Sequence, residues 1–177
     1  IMGVNSDPRT NGSVGYYCCC DAEGFAKALE CKDETKVNRL EVLINDKKIK
    51  EPVLNEVFFA HVNPASTTEY NLDGKRYKNS GILACTATGS TGWMYQENGL
   101  VMPIDSKEIQ YMGRGMRGEK PRFAQEIKIE CLTRQGKIYI DGAHLRYDIG
   151  LCEILTIKKG MPLTIVGNLE KKMKKLF

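Results

Sequence analysis

One stretch of the sequence, residues 79–99 (NSGILACTATGSTGWMYQENG), combines small hydroxyl residues, glycines and a tryptophan. In it an apolar run passes into residues 86–92 and then into Trp93. Small side chains let a ligand approach the backbone, free N–H groups at the start of the next element can bind ribose or phosphate oxygens, and hydroxyls add donors and acceptors. Trp93 offers a stacking face. A Gly-Ser turn between strands explains the same composition about equally well.

A second candidate is the pair Asn55 and Glu56, which lies in the otherwise apolar run VLNEVFFAHV. Adjacent residues of a strand face opposite ways, so we expect one of the pair to point into the core, where a polar group needs a partner or a ligand. An amide beside a carboxylate suits the hydroxyls of a ribose. Alternatively, Glu56 faces solvent and Asn55 binds local backbone.

The remaining polar residues favour structural interpretations. Asp7 (in GVNSDP) and Asp141 (in IYIDGAH) belong to Asp-Pro and Asp-Gly dipeptides, and turn chemistry explains both. His144 is predicted to lie on the surface. The segment GRGMRG at 113–118 lacks the spacing of a phosphate loop, so an exposed charged loop is favoured over an arginine–phosphate site.

Composition excludes several classes of protein. The chain has 177 residues, 42% hydrophobic and 27% charged, as in a folded protein. No apolar run approaches the roughly 20 residues of a membrane span, and no signal peptide is evident. The net charge is +4, of which the last ten residues contribute +3. Because nucleic-acid binders spread basic residues over a face, we expect neither a nucleic-acid nor a membrane partner.

Cysteine usage indicates reduced thiols. The seven cysteines are an odd number, and three of them, residues 18–20, are consecutive, which disfavours a disulfide framework. Zinc sites need spaced Cys pairs with a second pair or histidines, and the two histidines, His61 and His144, are not near such a pair. The sequence therefore predicts no metal site, and a cytosolic or organellar matrix fits best.

The elements that position these residues are mostly strands. The chain opens with IMGVNSDP, which predicts a short buried strand and indicates that a longer N-terminal part is missing. Residues 21–29 predict a helix with Asp21 at its N-cap, and the Lys-rich end predicts a solvated, frayed helix. From Val37 onward, β-rich runs predict a sandwich or folded sheet: RLEVLI, VLNEVFFAHV, GILACTAT, EIKIECL, KIYID, LCEILTI and PLTIVG.

Turn signals separate the predicted strands. LDGK, QENG, RQGK and KKGMP each stand between two of them. Residues 105–125, which are richer in Gly, Arg and Lys, predict a mobile loop or an edge strand.

Five motifs occur in an order that resembles the NAD kinase family: GVNSDP, LNE at 54–56, SGILACTATGSTGW at 80–93, IDG at 140–142 and MPLTIVG at 161–167. The branch of mitochondrial NAD kinases and plant NADH kinases is the most similar. The resemblance implies phosphorylation of the adenosine-ribose 2'-hydroxyl of NAD(H), with ATP and a divalent metal such as Mg²⁺. Family members have an α/β domain followed by a β-rich domain.

The resemblance also implies a fold, a domain division and a set of site residues. We expect a mainly β (α+β) chain, the β-sandwich-like C-terminal domain, with the N-terminal α/β domain largely absent. Residues 1–34 would be the remnant of that domain, 35–167 the dinucleotide-binding domain and 168–177 a basic tail. By resemblance, substrate binding falls to Asn55 and Glu56 at the ribose, to Lys78 and Ser80, and to Thr88, Gly89, Thr91, Gly92 and Trp93.

Two departures from the family matter. The family's GGDGT motif, whose Asp is thought to act as general base, is absent and is expected upstream of Ile1, so no catalytic residue is assigned and the chain alone is expected to be almost inactive. Ser80 stands where many members have an Asp, which keeps hydrogen bonding but removes a charge, so the choice between NAD and NADH stays open.

Three functions therefore compete. The first is the C-terminal part of an NAD(H) kinase that forms NADP(H), commonly a homo-oligomer, in the mitochondrial matrix or the cytoplasm. The second is a non-catalytic NAD(P)-binding regulatory module. The third is a lipid kinase of the diacylglycerol or sphingosine type, which shares the fold, although the Asn55–Glu56 pair suits a dinucleotide better than an acyl chain.

Overall fold

The computed structural model describes residues 1–9 and 15–176, and strands dominate it. The mainly β fold class is confirmed. In chain order the elements are β1 Gly3–Asn5, β2 Cys18–Asp21, α1 Phe25–Ala28, β3 Glu34–Val37, β4 Leu40–Ile44, β5 Lys47–Lys48, β6 Glu56–His61, β7 Thr68–Leu72, β8 Lys75–Asn79, β9 Ile82–Cys85, a 3₁₀ turn Gly89–Thr91, α2 Trp93–Gln96, β10 Ile109–Gly113, β11 Arg122–Ala124, β12 Glu126–Cys131, β13 Gly136–Ile140, β14 Leu145–Ile149, β15 Ile154–Lys159, β16 Leu163–Val166 and α3 Leu169–Leu176.

These elements form two compact units. The larger is Asn38–Met161, and the smaller combines Ile1–Val37 with Pro162–Phe177. The division at residues 34 and 167 stays a prediction. In the larger unit the strands form two antiparallel six-stranded sheets. The first sheet has the order β11-β10-β9-β6-β13-β14, and the second has the order β5-β4-β15-β12-β7-β8.

The core of the larger unit lies between these two sheets. Alternation along β6 sends Val57 and Phe59 into one buried cluster, where they meet Ile129 and Leu155 of the second sheet. The ring centroids of Phe59 and Tyr70 are 6.0 Å apart across the interface. This contact between inward faces is the packing of a β-sandwich.

The opposite face of the first sheet is also covered. A second cluster there contains Phe58, Leu83 and Cys85, and Met94 of α2 packs onto them. The segment from residue 86 to residue 98 begins with residues 86–91, which we call the TATGST motif, and continues into α2 over this face. The motif lies beside the start of β6, where the Thr86 N–H bonds the Asn55 carbonyl.

The smaller unit contains a parallel pair, β1 and β2, and an antiparallel pair, β3 and β16. The Lys-rich end forms α3, as predicted, and within residues 169–174 of this helix Leu169 and Met173 are buried. Glu170 and Lys174 form an i,i+4 ion pair of 2.7 Å on that helix.

Two predictions for the N-terminal part were wrong in detail. The helix expected over 21–29 is the single turn α1, because the N–H groups of Glu30 and Cys31 already bond three residues back and tighten the chain out of the helix. Asp21 ends β2, and its carboxylate accepts the Gly24 N–H at 2.8 Å. Strand β1 is not fully buried, since Val4 is 38% exposed in a two-stranded sheet.

All seven predicted β-rich runs contain strands, which are β4, β6, β9, β12, β13, β15 and β16. Other strands of the larger unit, among them β7, β8 and β14, were not predicted. The turn at 96–99 follows α2 and does not join two strands, whereas the other three turns do. The segment 105–125 contains β10, which is buried between β9 and β11, as well as the edge strand β11. Gln110 made β10 hard to predict: it is fully buried, and its amide bonds the N–H and carbonyl of Leu100 at 2.6 and 2.7 Å.

Candidate functional site

The Asn55–Glu56 pair lies at the beginning of β6 rather than inside it. Asn55 belongs to the bend before the strand, and Glu56 is its first residue. Both are half-buried. The expectation of two opposite-facing strand residues was therefore wrong for Asn55. Glu56 shares its face of the sheet with Phe58, because residues two apart in a strand point the same way.

The backbone of this pair is fixed by Asp141. Its Oδ2 accepts the Leu54 N–H at 2.8 Å, and its Oδ1 accepts the N–H groups of Asn55 and Glu56 at 2.7 and 3.1 Å. In return the Asp141 N–H donates to the Glu56 carbonyl at 3.0 Å. Asp141 has φ 46° in the turn between β13 and β14, so the turn predicted at this residue is observed. Its carboxylate in addition binds the backbone of residues 54–56.

The TATGST motif holds the same segment from the other side. The hydroxyls of Thr86 and Thr88 donate to the Leu54 carbonyl at 2.8 and 3.2 Å, and the Thr86 N–H donates to the Asn55 carbonyl at 2.9 Å. Gly89 packs so closely that a Cβ there would lie 2.1 Å from the Asn55 carbonyl oxygen. Only glycine fits this approach.

The motif works as a scaffold, which corrects one expectation. The N–H groups of residues 89–92 all donate to oxygens of residues 86–89, at 3.0 to 3.4 Å, so they are not open to ligand oxygens. The hydroxyls of Ser90 and Thr91 donate to backbone carbonyls at 2.6 and 2.8 Å. These residues shape the site through the backbone of Asn55 and Glu56.

A cavity of about 340 Å³ lies on the Glu56 face of the first sheet, within the usual size range of small-molecule sites. Along β6, Glu56 and Phe58 are about 7 Å apart and point to the same face of the sheet. Phe58 lines the cavity, and so do Gly142 and Ala143, which follow Asp141. Its lining residues are Phe58, Ala60, His61, Val62, Pro64, Ser66, Thr68, Ser80, Trp93, Arg114, Tyr139, Gly142 and Ala143.

Aromatic rings and one guanidinium form the wall of this cavity. The Trp93 and Phe58 ring centroids are 4.9 Å apart, and the Arg114 guanidinium carbon lies 4.9 Å from the Trp93 ring and 5.1 Å from the Phe58 ring. Glu97 accepts hydrogen bonds from Arg114 Nε at 2.7 Å and from Trp93 Nε1 at 3.1 Å. These contacts hold the Trp93 indole in place in the cavity wall.

Electrostatics single out Glu56. Burial, together with the negative charge of Asp141, raises the pKa of Glu56 from 4.5 to about 7. On the neighbouring strand Cys85 lies directly opposite Glu56, and burial raises the pKa of its thiol. A carboxylate that changes its charge near neutral pH therefore lies on the same strand face as the aromatic cavity, two residues before Phe58 of the cavity wall. Such a shifted carboxylate is typical of functional sites.

The other sequence-predicted residues divide into two groups. Ser80 lines the cavity, and its N–H donates to the Arg114 carbonyl at 3.0 Å. Lys78 lies on β8, an edge strand of the second sheet, where it pairs with Glu69 at 3.0 Å and does not line the cavity. His144 is exposed, as expected.

Of the thirteen lining residues, sequence reasoning named only Ser80 and Trp93 as site residues, and it missed the rings and the guanidinium that pack around Trp93. Phe58 and Tyr139 lie opposite each other on β6 and β13, and counting every second residue from Glu56 would have found Phe58. Arg114 was expected in an exposed charged loop, and no sequence signal places it beneath Trp93.

Over residues 1–9 and 15–176, no group of three or more His, Cys, Asp or Glu side chains is arranged to hold a metal ion. None of the helices in these ranges is long and apolar enough to cross a membrane.

Comparisons with known proteins bear on the motifs and the fold. No protein-family model matches the chain. It is 26% identical to a "Probable NADH kinase" of Oryza sativa subsp. japonica, over 92% of this chain and 62% of that protein. It is 25% identical to an "NADH kinase" of Arabidopsis thaliana, over 92% of this chain and 63% of that protein. The chain thus spans about three fifths of the length of these relatives.

Two solved structures share the fold. A yeast NADH kinase complexed with NADH superposes with a TM-score of 0.78 at 18% identity, over 93% of this chain and 55% of the other. An NAD kinase from Archaeoglobus fulgidus in complex with ATP gives a TM-score of 0.76 at 20% identity, over 94% and 70%. The resemblance to the C-terminal portion of the NAD kinase family is confirmed.

Proposed function

We propose that this chain is the C-terminal, dinucleotide-binding portion of an ATP-dependent NAD(H) kinase, which phosphorylates the adenosine-ribose 2'-hydroxyl to give NADP(H). One observation carries the proposal: Asp141 and the TATGST motif hold the backbone of Asn55 and Glu56 at the start of β6, and an aromatic cavity lies on the Glu56 face of the same strand from Phe58 onward. The plant relatives, whose names state NADH kinase, support it.

In this proposal Asn55 and Glu56 bind the ribose. An ionised Glu56 accepts hydrogen bonds from ribose hydroxyls, and the Asn55 amide both donates and accepts. The adjoining base enters the cavity beside Trp93, with Ser80 at the wall, because the cavity begins about 7 Å from Glu56 along β6. Thr88, Gly89, Thr91 and Gly92 act by shaping the segment that holds these side chains. Lys78 receives no role, since its ammonium pairs with Glu69.

Catalysis requires more than this chain supplies. The GGDGT motif is absent from its sequence, and the described residues offer no metal-binding cluster. We therefore assign no ligands to Mg²⁺ here and propose that the chain alone is inactive. The archaeal kinase complexed with ATP supports ATP as the phosphoryl donor. Homo-oligomerisation and a mitochondrial or cytoplasmic location remain predictions.

Calorimetric titration of the 177-residue chain with NADH, NAD and NADP tests the proposal. We expect saturable binding that Trp93→Ala weakens about tenfold, since stacking on one aromatic ring contributes about 1–3 kcal/mol. Tyr95→Ala is the matched control, because Tyr95 lies on the same short helix with 52% of its surface exposed and does not line the cavity. A folded chain that binds no dinucleotide, or equal losses in both variants, would contradict the proposal.

A further inference from the structure

We infer that Asp141 is a positioning residue for ribose recognition: its carboxylate clamps the backbone of residues 54–56 and so sets the direction of the Asn55 and Glu56 side chains. The inference rests on the proposed function for the identity of the ligand. Asp141 does not line the cavity, and the argument needs no contact between it and the ribose.

The hydrogen bonds carry the first step. One carboxylate receives three consecutive N–H groups at 2.7 to 3.1 Å. Leu54 and Asn55 precede β6, so their N–H groups are outside the ladder of the sheet and depend on a side-chain acceptor. Hydrogen bonds to an ionised acceptor are stronger than neutral ones, so this clamp holds a bend that the sheet itself does not fix.

The clamp is itself held firmly. Asp141 follows Ile140, which pairs with Val57 on β6, and its own N–H bonds the Glu56 carbonyl at 3.0 Å. Its φ of 46° is left-handed, a conformation that Asp and Asn adopt more readily than most residues. Backbone and side chain of Asp141 therefore bind the same short segment in both directions.

Turn formation alone does not require this residue to be an aspartate. Asparagine also adopts the left-handed conformation, but one of its two terminal atoms is an NH₂ donor, which would face an N–H donor of residues 54–56. Asp141→Asn thus keeps the turn and breaks part of the clamp. It also removes a charge that raises the pKa of Glu56, which is paired with Cys85 on β9.

The test compares Asp141→Asn with Asp148→Asn. Asp148 lies on the same hairpin, pairs with Lys137 of β13 and is remote from residues 54–56 in register. NADH binding is measured by calorimetry from pH 5.5 to 8.5, and folding by thermal unfolding. For Asp141→Asn we expect affinity at pH 8 to fall at least about tenfold and the midpoint of the pH dependence to move lower, while Asp148→Asn behaves like the unmodified chain.

Unchanged affinity and midpoint in folded Asp141→Asn would overturn the inference, as would equal losses in both variants. Amide hydrogen exchange of the unmodified chain keeps the test decisive if Asp141→Asn does not fold. We expect protected N–H groups at Leu54 and Asn55, and rapid exchange there would overturn the clamp. If the unmodified chain binds no dinucleotide, the proposed function is wrong, and so is the role of Asp141 in ribose recognition. The amide hydrogen exchange of Leu54 and Asn55 then still shows whether the Asp141 carboxylate holds their N–H groups.

Discussion

Replacing Glu56 by glutamine is expected to stabilise the chain above neutral pH while it weakens dinucleotide binding. The folded chain holds a proton on Glu56 more tightly than the unfolded chain does, because its pKa is raised from 4.5 to about 7. The folded state is therefore favoured fully below pH 4.5, and stability falls as the pH rises from 4.5 to about 7. Glutamine carries no charge, so the variant escapes this loss.

The raised pKa sets the size of the effect. At 1.36 kcal/mol for each tenfold change, the full rise corresponds to about 3 kcal/mol. Glu56 is only half-buried and water screens its charge, so we expect Glu56→Gln to be more stable by about 1–2 kcal/mol at pH 8 and by less than about 0.5 kcal/mol at pH 5.

Urea unfolding at pH 5 and pH 8, followed by the fluorescence of Trp93, the only tryptophan of the chain, measures both values. Glu126→Gln is the matched control, because Glu126 is an exposed β12 residue paired with Lys128. The same variant should bind NADH more weakly, because the amide of glutamine replaces a charged acceptor by a neutral one and turns the second oxygen into an NH₂ donor. A stability difference that is equal at both pH values, or a less stable Glu56→Gln at pH 8, would refute the assignment of a desolvated charge to this site.

Three further outcomes are expected. Gly89→Ala places a Cβ 2.1 Å from the Asn55 carbonyl oxygen and should cost at least about 2 kcal/mol in urea unfolding and abolish NADH binding. In Gly150→Ala the nearest atom, a carboxylate oxygen of Glu153, is 3.5 Å away, and little changes. Phe59→Ala, at a fully buried site, should lower the free energy of unfolding by about 3–5 kcal/mol. Buried Cys85 should resist iodoacetamide until urea unfolds the chain, as mass spectrometry would show, while the exposed thiols react at once.

The motifs alone suggested similarity to NAD kinases and so reduced the number of functions to consider. The comparisons support this similarity at the level of the kinase family and the fold. The cluster around Glu56 shows why the residues implied by resemblance needed the structure. Trp93 lines the cavity, and Glu56 lies on the same face of the first sheet. Lys78, however, lies on the other sheet, and the N–H groups of residues 89–92 bond within the motif itself. Motif membership did not separate ligand-facing groups from scaffold.

The features that could be predicted from the sequence are those set by residues close together in the chain. Alternation with period two marked β6 and β13, and the LDGK signal marked a hairpin whose Asp73 and Gly74 both have positive φ, as a tight two-residue turn requires. Such patterns act between residues a few positions apart, so the sequence displays them directly.

Long-range contacts decided the rest. Strand register brings Asp141 to Asn55, 86 positions earlier in the chain, and places Arg114 beneath Trp93. Gln110 is buried only because the backbone at Leu100 satisfies its amide. The sequence by itself determined the β-rich runs from Val37 onward, three of the four turns between strands and the resemblance of the motifs to a known family. The tertiary structure alone decided the clamp, the cavity wall and the raised pKa of Glu56, because burial and pairing depend on neighbours that only folding brings together.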